Sequence, residues 1–243
     1  MAPRGIHHLR AVLRTALARA VRDGLVLRNA ASLASLPVRV PNLRVEAIDQ
    51  DEANSIMGSV RGEEIEHLVT VAVLTGARQG ELLALHWADV DLDEGRISIR
   101  YSLRRGQLEE PKTDRSRRTL AVGGRVMAAL RAQRVSQVRT RLLAGSRWFE
   151  NDLVFTSSIG TPMDPTNVTH RLQRALHAAG LQRRRFHDLR HAAATLLLAS
   201  GADIKVVSDY LGHQSIATTA NIYAHVLPDV QRKAVERLEA SLG

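Results

Sequence analysis

The sequence predicts an α+β protein, mainly α-helical, with a small antiparallel sheet. Helical patterns run through residues 6–35, 63–75, 124–144, 167–180 and 228–242. The period changes to two only within residues 96–122, where Arg96-Ile-Ser-Ile-Arg-Tyr101 alternates. Glycines that fall one residue past a periodic run, and aspartates placed just before one, mark where helices stop and start.

Taken in order, Ile6, Leu9, Val12, Leu13, Ala16, Leu17, Ala20 and Val21 share one helical face, with arginines on the other. Gly24 breaks the pattern, and Asn29 is placed to cap a short helix through Leu33. Two helices rarely bury enough apolar surface to be stable alone, so this hairpin reads as part of something larger. Pro37 and Pro41 bracket an extended stretch, and residues 37–46 read as a linker. Asp49 opens the next helix with Glu52 at capping-box spacing. Residues 63–75 form an apolar helix (Ile65, Leu68, Val69, Ala72, Val73) ended by Gly76, and a short helix from Gly80 to Leu85 leads to Trp87. Arg78 falls in the turn between them, an odd place for a charge unless it points into a shared cleft.

After the Arg96–Tyr101 strand, Arg105-Gly106 is a turn and Arg118–Val122 a later strand, with Lys112 near a hairpin whose tip carries Asp114, Arg115 and Arg117. Residues 124–144 are helix, Asp152–Thr156 a short strand or extended piece, and Ser157–Pro165 a loop. Asn167 starts a helix to Gly180, and Arg183-Arg184-Arg185 leads into Phe186-His-Asp-Leu-Arg-His191. Gly201 ends that helix, Asp203 caps the next, and Gly212 ends it immediately before His213. Tyr223 follows a polar Thr218-Thr219-Ala220-Asn221 run, and Pro228–Leu242 is a last amphipathic helix.

The 243 residues suffice for one large domain, or one domain plus a fragment, and a hydrophobic fraction of 44% is ordinary for a packed core. With 34 Lys+Arg against 25 Asp+Glu the formal net charge is +9, which favours nucleic acid or an anionic membrane as partner. The absence of cysteine excludes disulfides, thiolate metal sites and a cysteine nucleophile. No apolar run is long enough to span a bilayer, and arginines interrupt the N-terminal runs where a signal peptide would need an apolar core. A soluble, intracellular protein is expected.

Several residues carry chemistry. Arg78 and Arg190 lie among apolar helical residues, where an unpaired guanidinium is costly. Each could pair with a carboxylate such as Glu81 or Asp188; each could equally hold an anion, because a planar fork of donors suits phosphate oxygens. His187 and Arg190 are three apart and share a helix face. His187 and His191 have a spacing that a metal would also use, but a cation on the same turn disfavours one. Only Lys112, Lys205 and Lys233 are lysines in a chain that otherwise uses arginine. An ammonium can release its proton to a leaving alkoxide, so Lys112 is either a general acid or a solvated hairpin residue. Tyr101 and Tyr210 have packing explanations, whereas Tyr223 lies in polar surroundings. A phenol becomes a nucleophile beside positive charge or a base. This set suits phosphoryl transfer on nucleic acid.

Thr75-Gly-Ala-Arg-Gln-Gly-Glu-Leu-Leu-Ala-Leu85 with Trp87, Pro111-Lys-Thr113 before Ser116 and Arg118, His187-Asp-Leu-Arg-His191, Leu211-Gly-His213 and Tyr223-Ala-His225 resemble the tyrosine recombinases of the phage-integrase type, in that family's order and spacing. The resemblance runs from about residue 47 to the end. It implies a catalytic domain over residues 47–243 with a small antiparallel three-stranded sheet, preceded by a helical remnant: residues 1–36 resemble the last helices of a truncated core-binding domain. It further implies that Tyr223 attacks a DNA phosphate to form a 3′-phosphotyrosine, that Arg78 and Arg190 hold the non-bridging oxygens, that Lys112 protonates the leaving 5′-oxygen, that His187 assists proton transfer and that His213 hydrogen-bonds the phosphate. No cofactor, metal or ATP is expected. The implied partners are double-stranded DNA, three further copies of the chain in a homotetramer on DNA, and accessory DNA-bending or directionality proteins. The implied location is the nucleoid in the cytoplasm. The tail helix is expected to dock on a neighbouring subunit or on its own domain. Ala192-Ala193-Ala194 departs from the bulkier residues usual there, a change of packing. The competing readings are a catalytically impaired DNA-binding fragment and a strand-relaxing topoisomerase with the same chemistry.

Overall fold

In the computed structural model the described residues are 3–35, 48–110 and 117–212, with 215, 216, 219, 220, 235, 236 and 239. The chain divides into two compact units, Met1–Glu46 and Ala47–Gly243.

In the first unit, α1 (Pro3–Arg22) folds back on α2 (Ala30–Leu33). Arg10 ties them, its Nε donating to the Ala31 carbonyl at 2.8 Å and an Nη to that of Ser32 at 3.0 Å. Asn29 does stand at the N-cap of α2, but its side chain caps nothing there. Its amide donates to the Arg14 carbonyl at 2.8 Å, where it bridges the two helices instead. Leu9, Val12, Leu13 and Val21 all stay exposed, as two helices alone leave them.

The second unit begins with α3 (Gln50–Ser59), whose cap Asp49 accepts from the Glu52 amide at 2.8 Å as its spacing predicts. Then α4 (Glu66–Thr75) supplies the axis of the core: Leu68, Val69, Val71, Ala72 and Val73 are buried on most of its circumference. Residues 63–65 form a turn before it, so the helix is shorter than its apolar run. Gly76 stops it at φ 63°, in the left-handed region that glycine enters without strain. After it comes α5 (Gln79–Leu83).

Strands β1 (Val90–Asp91) and β2 (Arg96–Ile99) pair antiparallel, Val90 opposite Ile97. The alternating run breaks at Arg100 rather than reaching Tyr101. Arg100 Nε lies 2.9 Å from the buried Asp89 carboxylate, and Tyr101 sets its ring edge-on to His86. Next, β3 (Ser102–Arg104) and β4 (Gln107–Glu109) form a separate hairpin. Its turn is Arg105-Gly106, both at positive φ (48° and 77°), the twist a two-residue hairpin needs. The hairpin lies so close to α5 that a Cβ on Gly80 would sit 2.7 Å from the Leu103 carbonyl oxygen. Then β5 (Arg118–Ala121) joins β2, giving an antiparallel sheet in the order β1-β2-β5 with Ile97 opposite Leu120 and Ile99 opposite Arg118.

The remaining helices are α6 (Gly124–Ala144), α7 (Pro165–Ala178), α8 (Phe186–Ala199) and α9 (Ile204–Leu211). Asp164 and Asp203 cap α7 and α9 through their side chains. Helix α4 packs on both α6 and α8, and Ala194, Leu198, Val207 and Leu211 join α8 to α9. Residues 152–156 form no regular strand; Val154 and Phe155 bend between the single bridges at Leu153 and Thr156, with Gln133 and Gln137 of α6 donating to the Val154 and Leu153 carbonyls at 3.0 and 2.7 Å. The hairpin tip at Asp114 and Arg115 and nearly all of the expected tail helix Pro228–Leu242 lie outside the described residues.

Candidate active site

The site forms where α9 ends. A helix leaves its last carbonyls without intrahelical partners, and they carry the negative end of its dipole. Here three successive carbonyls each receive a guanidinium. Arg118 Nε donates to Tyr210 at 2.8 Å, Arg190 Nη2 to Leu211 at 2.6 Å and Arg78 Nη2 to Gly212 at 3.2 Å. The arginines arrive from β5, α8 and the start of α5, elements far apart in sequence.

Arg190 is buried, 3% exposed, and its Nη1 also donates to the Gly76 carbonyl at 2.8 Å. It thus bolts the end of α4 to the end of α9. The carboxylate expected as its partner is engaged elsewhere: Asp188 accepts from the Arg185 amide at 2.7 Å at the start of α8. Close approach makes the bolt possible, since a Cβ on Gly76 would lie 3.0 Å from the Ala193 Cβ. Small residues after the arginine let the chain pass.

Arg78 takes the carboxylate partner expected for it and keeps a solvent face. Its Nη1 donates to Glu81 Oε1 at 2.7 Å while its backbone amide donates to Oε2 at 2.9 Å, and its side chain stays 41% exposed. Glu81 is 4% exposed. Burial alone would push its carboxyl up, but the hydrogen bond and charge of Arg118, and then the charge of Arg78, hold it below the ordinary carboxylate value. Arg118 reaches both oxygens, Nη2 to Oε2 at 2.9 Å and Nη1 to Oε1 at 3.2 Å.

His187 lies one turn before Arg190, its ring edge-on to His191 with centroids 4.9 Å apart. Partial desolvation of a ring that still meets solvent pulls its pKa below that of a free imidazole. The charges of His191, Arg190 and Arg78 act the same way, against Asp188. His191 is lowered too, by desolvation first, against Asp188 and with Arg190 and Arg185. Tyr210 is held by packing and donates to the Ala121 carbonyl at 3.3 Å, while burial raises its pKa. Among the described residues no group of three or more His, Cys, Asp or Glu side chains could hold a metal ion.

Of the expected site residues, Arg78 and Arg190 are thus brought together at the end of α9, with His187 one turn before Arg190 on α8. Lys112, His213 and Tyr223 lie outside the described residues; His213 directly follows Gly212 in the chain. Arg118 is not among the site residues the sequence predicts, although it is two residues from the buried Leu120, so the alternation of β5 turns it inward.

The phage integrase family profile matches residues 46–229. The chain belongs to the phage integrase family. Other phage integrase relatives agree over most of its length. A tyrosine recombinase XerC-like protein of Caldanaerobacter subterraneus subsp. tengcongensis is 31% identical over 93% of this chain and 63% of its own. An integrase of Streptomyces ambofaciens is 33% identical over 97% of this chain and 63% of its own. The chain therefore spans somewhat less than two thirds of the length of these curated relatives. Among solved structures, the Tn1549 transposon integrase in complex with transposon right end DNA matches at TM-score 0.79 and 22% identity, covering 98% of this chain and 80% of that one. XerA recombinase matches at TM-score 0.64 and 26% identity, covering 97% and 82%. The mainly helical fold with its small three-stranded sheet is thus that of a tyrosine-recombinase catalytic domain.

Proposed function

We propose that this chain is the catalytic portion of a site-specific DNA recombinase that cuts and rejoins duplex DNA through a 3′-phosphotyrosine. The observation that carries this reading is the convergence of Arg78 and Arg190 on the carbonyls that end α9, with His187 one turn before Arg190 on α8 and a guanidinium face left open to solvent at Arg78. Preorganised donors of this kind stabilise the charge that builds on phosphate oxygens in the transition state without a metal ion. Family membership and the DNA named in the Tn1549 integrase structure favour duplex DNA as the substrate.

In the proposed step the Tyr223 phenolic oxygen bonds to phosphorus and the bond to the 5′-oxygen breaks. Lys112 gives its proton to that oxygen. Arg78 and Arg190 hold the non-bridging oxygens, His213 hydrogen-bonds the phosphate, and His187 takes part in proton transfer. A lowered imidazole pKa leaves His187 neutral near pH 7 and able to accept the phenol proton. The phosphoester energy is conserved in the adduct, so a second strand's 5′-hydroxyl can reverse the step without ATP or any cofactor. Residues 1–36 are read as the last helices of a core-binding domain, residues 37–46 as a linker and residues 47–243 as the catalytic domain. A homotetramer on DNA, accessory DNA-bending or directionality proteins and a nucleoid location complete the proposal. No helix among the described residues is long and apolar enough to cross a membrane.

A pool of nicked duplexes with randomised sequence, incubated with the protein and resolved under denaturing conditions, tests this. A covalent protein–DNA adduct is expected from the wild type and not from Tyr223→Phe. Salt-sensitive DNA binding without an adduct would instead describe a catalytically impaired DNA-binding fragment, and an equal adduct from Tyr223→Phe would remove Tyr223 as nucleophile.

A further inference from the structure

Glu81 poses an electrostatic difficulty. It fixes Arg78 by two hydrogen bonds, one to the side chain and one to the backbone, yet a carboxylate against a guanidinium cancels the charge that an anion would need. Arg118 resolves it. It is the inner cation, its side chain 8% exposed against 41% for Arg78, and it spans both Glu81 oxygens. Among these three groups two guanidinium charges meet one carboxylate, one positive charge more than Glu81 neutralises, and the solvent-facing member is Arg78. Arg118 is itself fixed by the Tyr210 carbonyl and by Gly212, where a Cβ would come 3.0 Å from its Nη1. A larger residue at position 212 would push it off.

We propose that Arg118 is a positioning residue that neutralises Glu81, so that Glu81 can orient Arg78 without cancelling its charge towards a bound phosphodiester. This rests on the recombinase reading above. Without Arg118, the buried carboxylate would have Arg78 as the guanidinium left to it among these groups, and the pocket would lose its surplus charge.

The test uses the full chain and a nicked duplex selected from the adduct-trapping pool. The duplex is made in two forms, with an ordinary phosphodiester or a neutral methylphosphonate at the scissile position. Arg118→Met is expected to slow adduct formation on the phosphodiester about 100-fold, and on the methylphosphonate less than about tenfold, the pattern that Arg78→Met also gives. Adding Glu81→Gln to Arg118→Met removes the unneutralised carboxylate and is expected to bring the phosphodiester rate back to within about tenfold of wild type. Arg118→Lys, which keeps the charge but cannot span both Glu81 oxygens and the Tyr210 carbonyl, is expected to react on the phosphodiester at a rate between those of wild type and Arg118→Met. Equal loss on both substrates, no recovery with Glu81→Gln, or an Arg118→Lys as slow as Arg118→Met would reduce Arg118 to a packing residue and overturn the inference alone. A wild-type chain that forms no Tyr223-dependent adduct would overturn the recombinase reading, and this inference with it.

Discussion

Arg190 is the residue on which the local structure depends most. Two carbonyls from different elements, Gly76 and Leu211, are satisfied by one buried guanidinium. Its removal would leave both without that donor and open a cavity, so Arg190→Ala should cost about 2–4 kcal/mol of unfolding free energy. Urea denaturation measures this, and a midpoint equal to wild type would contradict it. The histidines make a prediction in pH. The folded pKa of His187 and of His191 is depressed, so below about 6.5, the ordinary imidazole value, the unfolded chain takes up protons that the folded chain does not. The stability they contribute is present above that value and falls as pH drops through the folded pKa values. Thermal melts from pH 7.5 down to 5.5 should show falling midpoints, and the His187→Gln, His191→Gln pair should flatten that slope. A slope unchanged in the pair would place its origin in other groups.

Between elements, the glycine at the end of α4 sets how closely three helices meet. A Cβ at Gly76 would lie 2.5 Å from Leu211 Cδ2 and 3.0 Å from the Ala193 Cβ, at a φ of 63° that disfavours any L side chain. Leu211 and Ala193 are both buried, with little room to give. Gly76→Ala should therefore destabilise the fold by about 1–3 kcal/mol, and should slow adduct formation by shifting the carbonyl that Arg190 holds. Melting temperature and single-turnover cleavage together check it; a variant as stable and as fast as wild type would mean that α4, α8 and α9 can part at no cost. The cap of α3 offers a milder comparison, with Asp49→Ala expected to cost about 1 kcal/mol and leave cleavage alone.

At the scale of the whole molecule, the two buried clusters of the larger unit draw all their described members from residues 48–211. A chain beginning at residue 47 should consequently melt within a few degrees of the full one, as differential scanning calorimetry would show. The +9 net charge makes a second prediction. If duplex DNA is the partner, its affinity should fall by about 10³-fold between 50 and 200 mM salt as counterions are released. Fluorescence anisotropy measures the slope, and a salt-independent affinity would argue against a phosphate-tracking interface.

The sequence by itself marked several helix ends, because caps and stops are local chemistry: Asp49, Asp203, Gly76 and Gly212 act on amides and carbonyls within a turn of themselves. It also singled out Arg78, His187 and Arg190, since polar residues in apolar runs are conspicuous in one dimension. Only the tertiary structure decided which partners they take. Arg190 went to two carbonyls and not to the carboxylate two residues away, Asn29 bridged where it was expected to cap, and Arg118 emerged as the counter-ion of Glu81. Those choices depend on which chain ends meet in space. Three carbonyls of α9 and three arginines from three other elements are brought into register by packing of α4 and α8, and no local pattern encodes that distance.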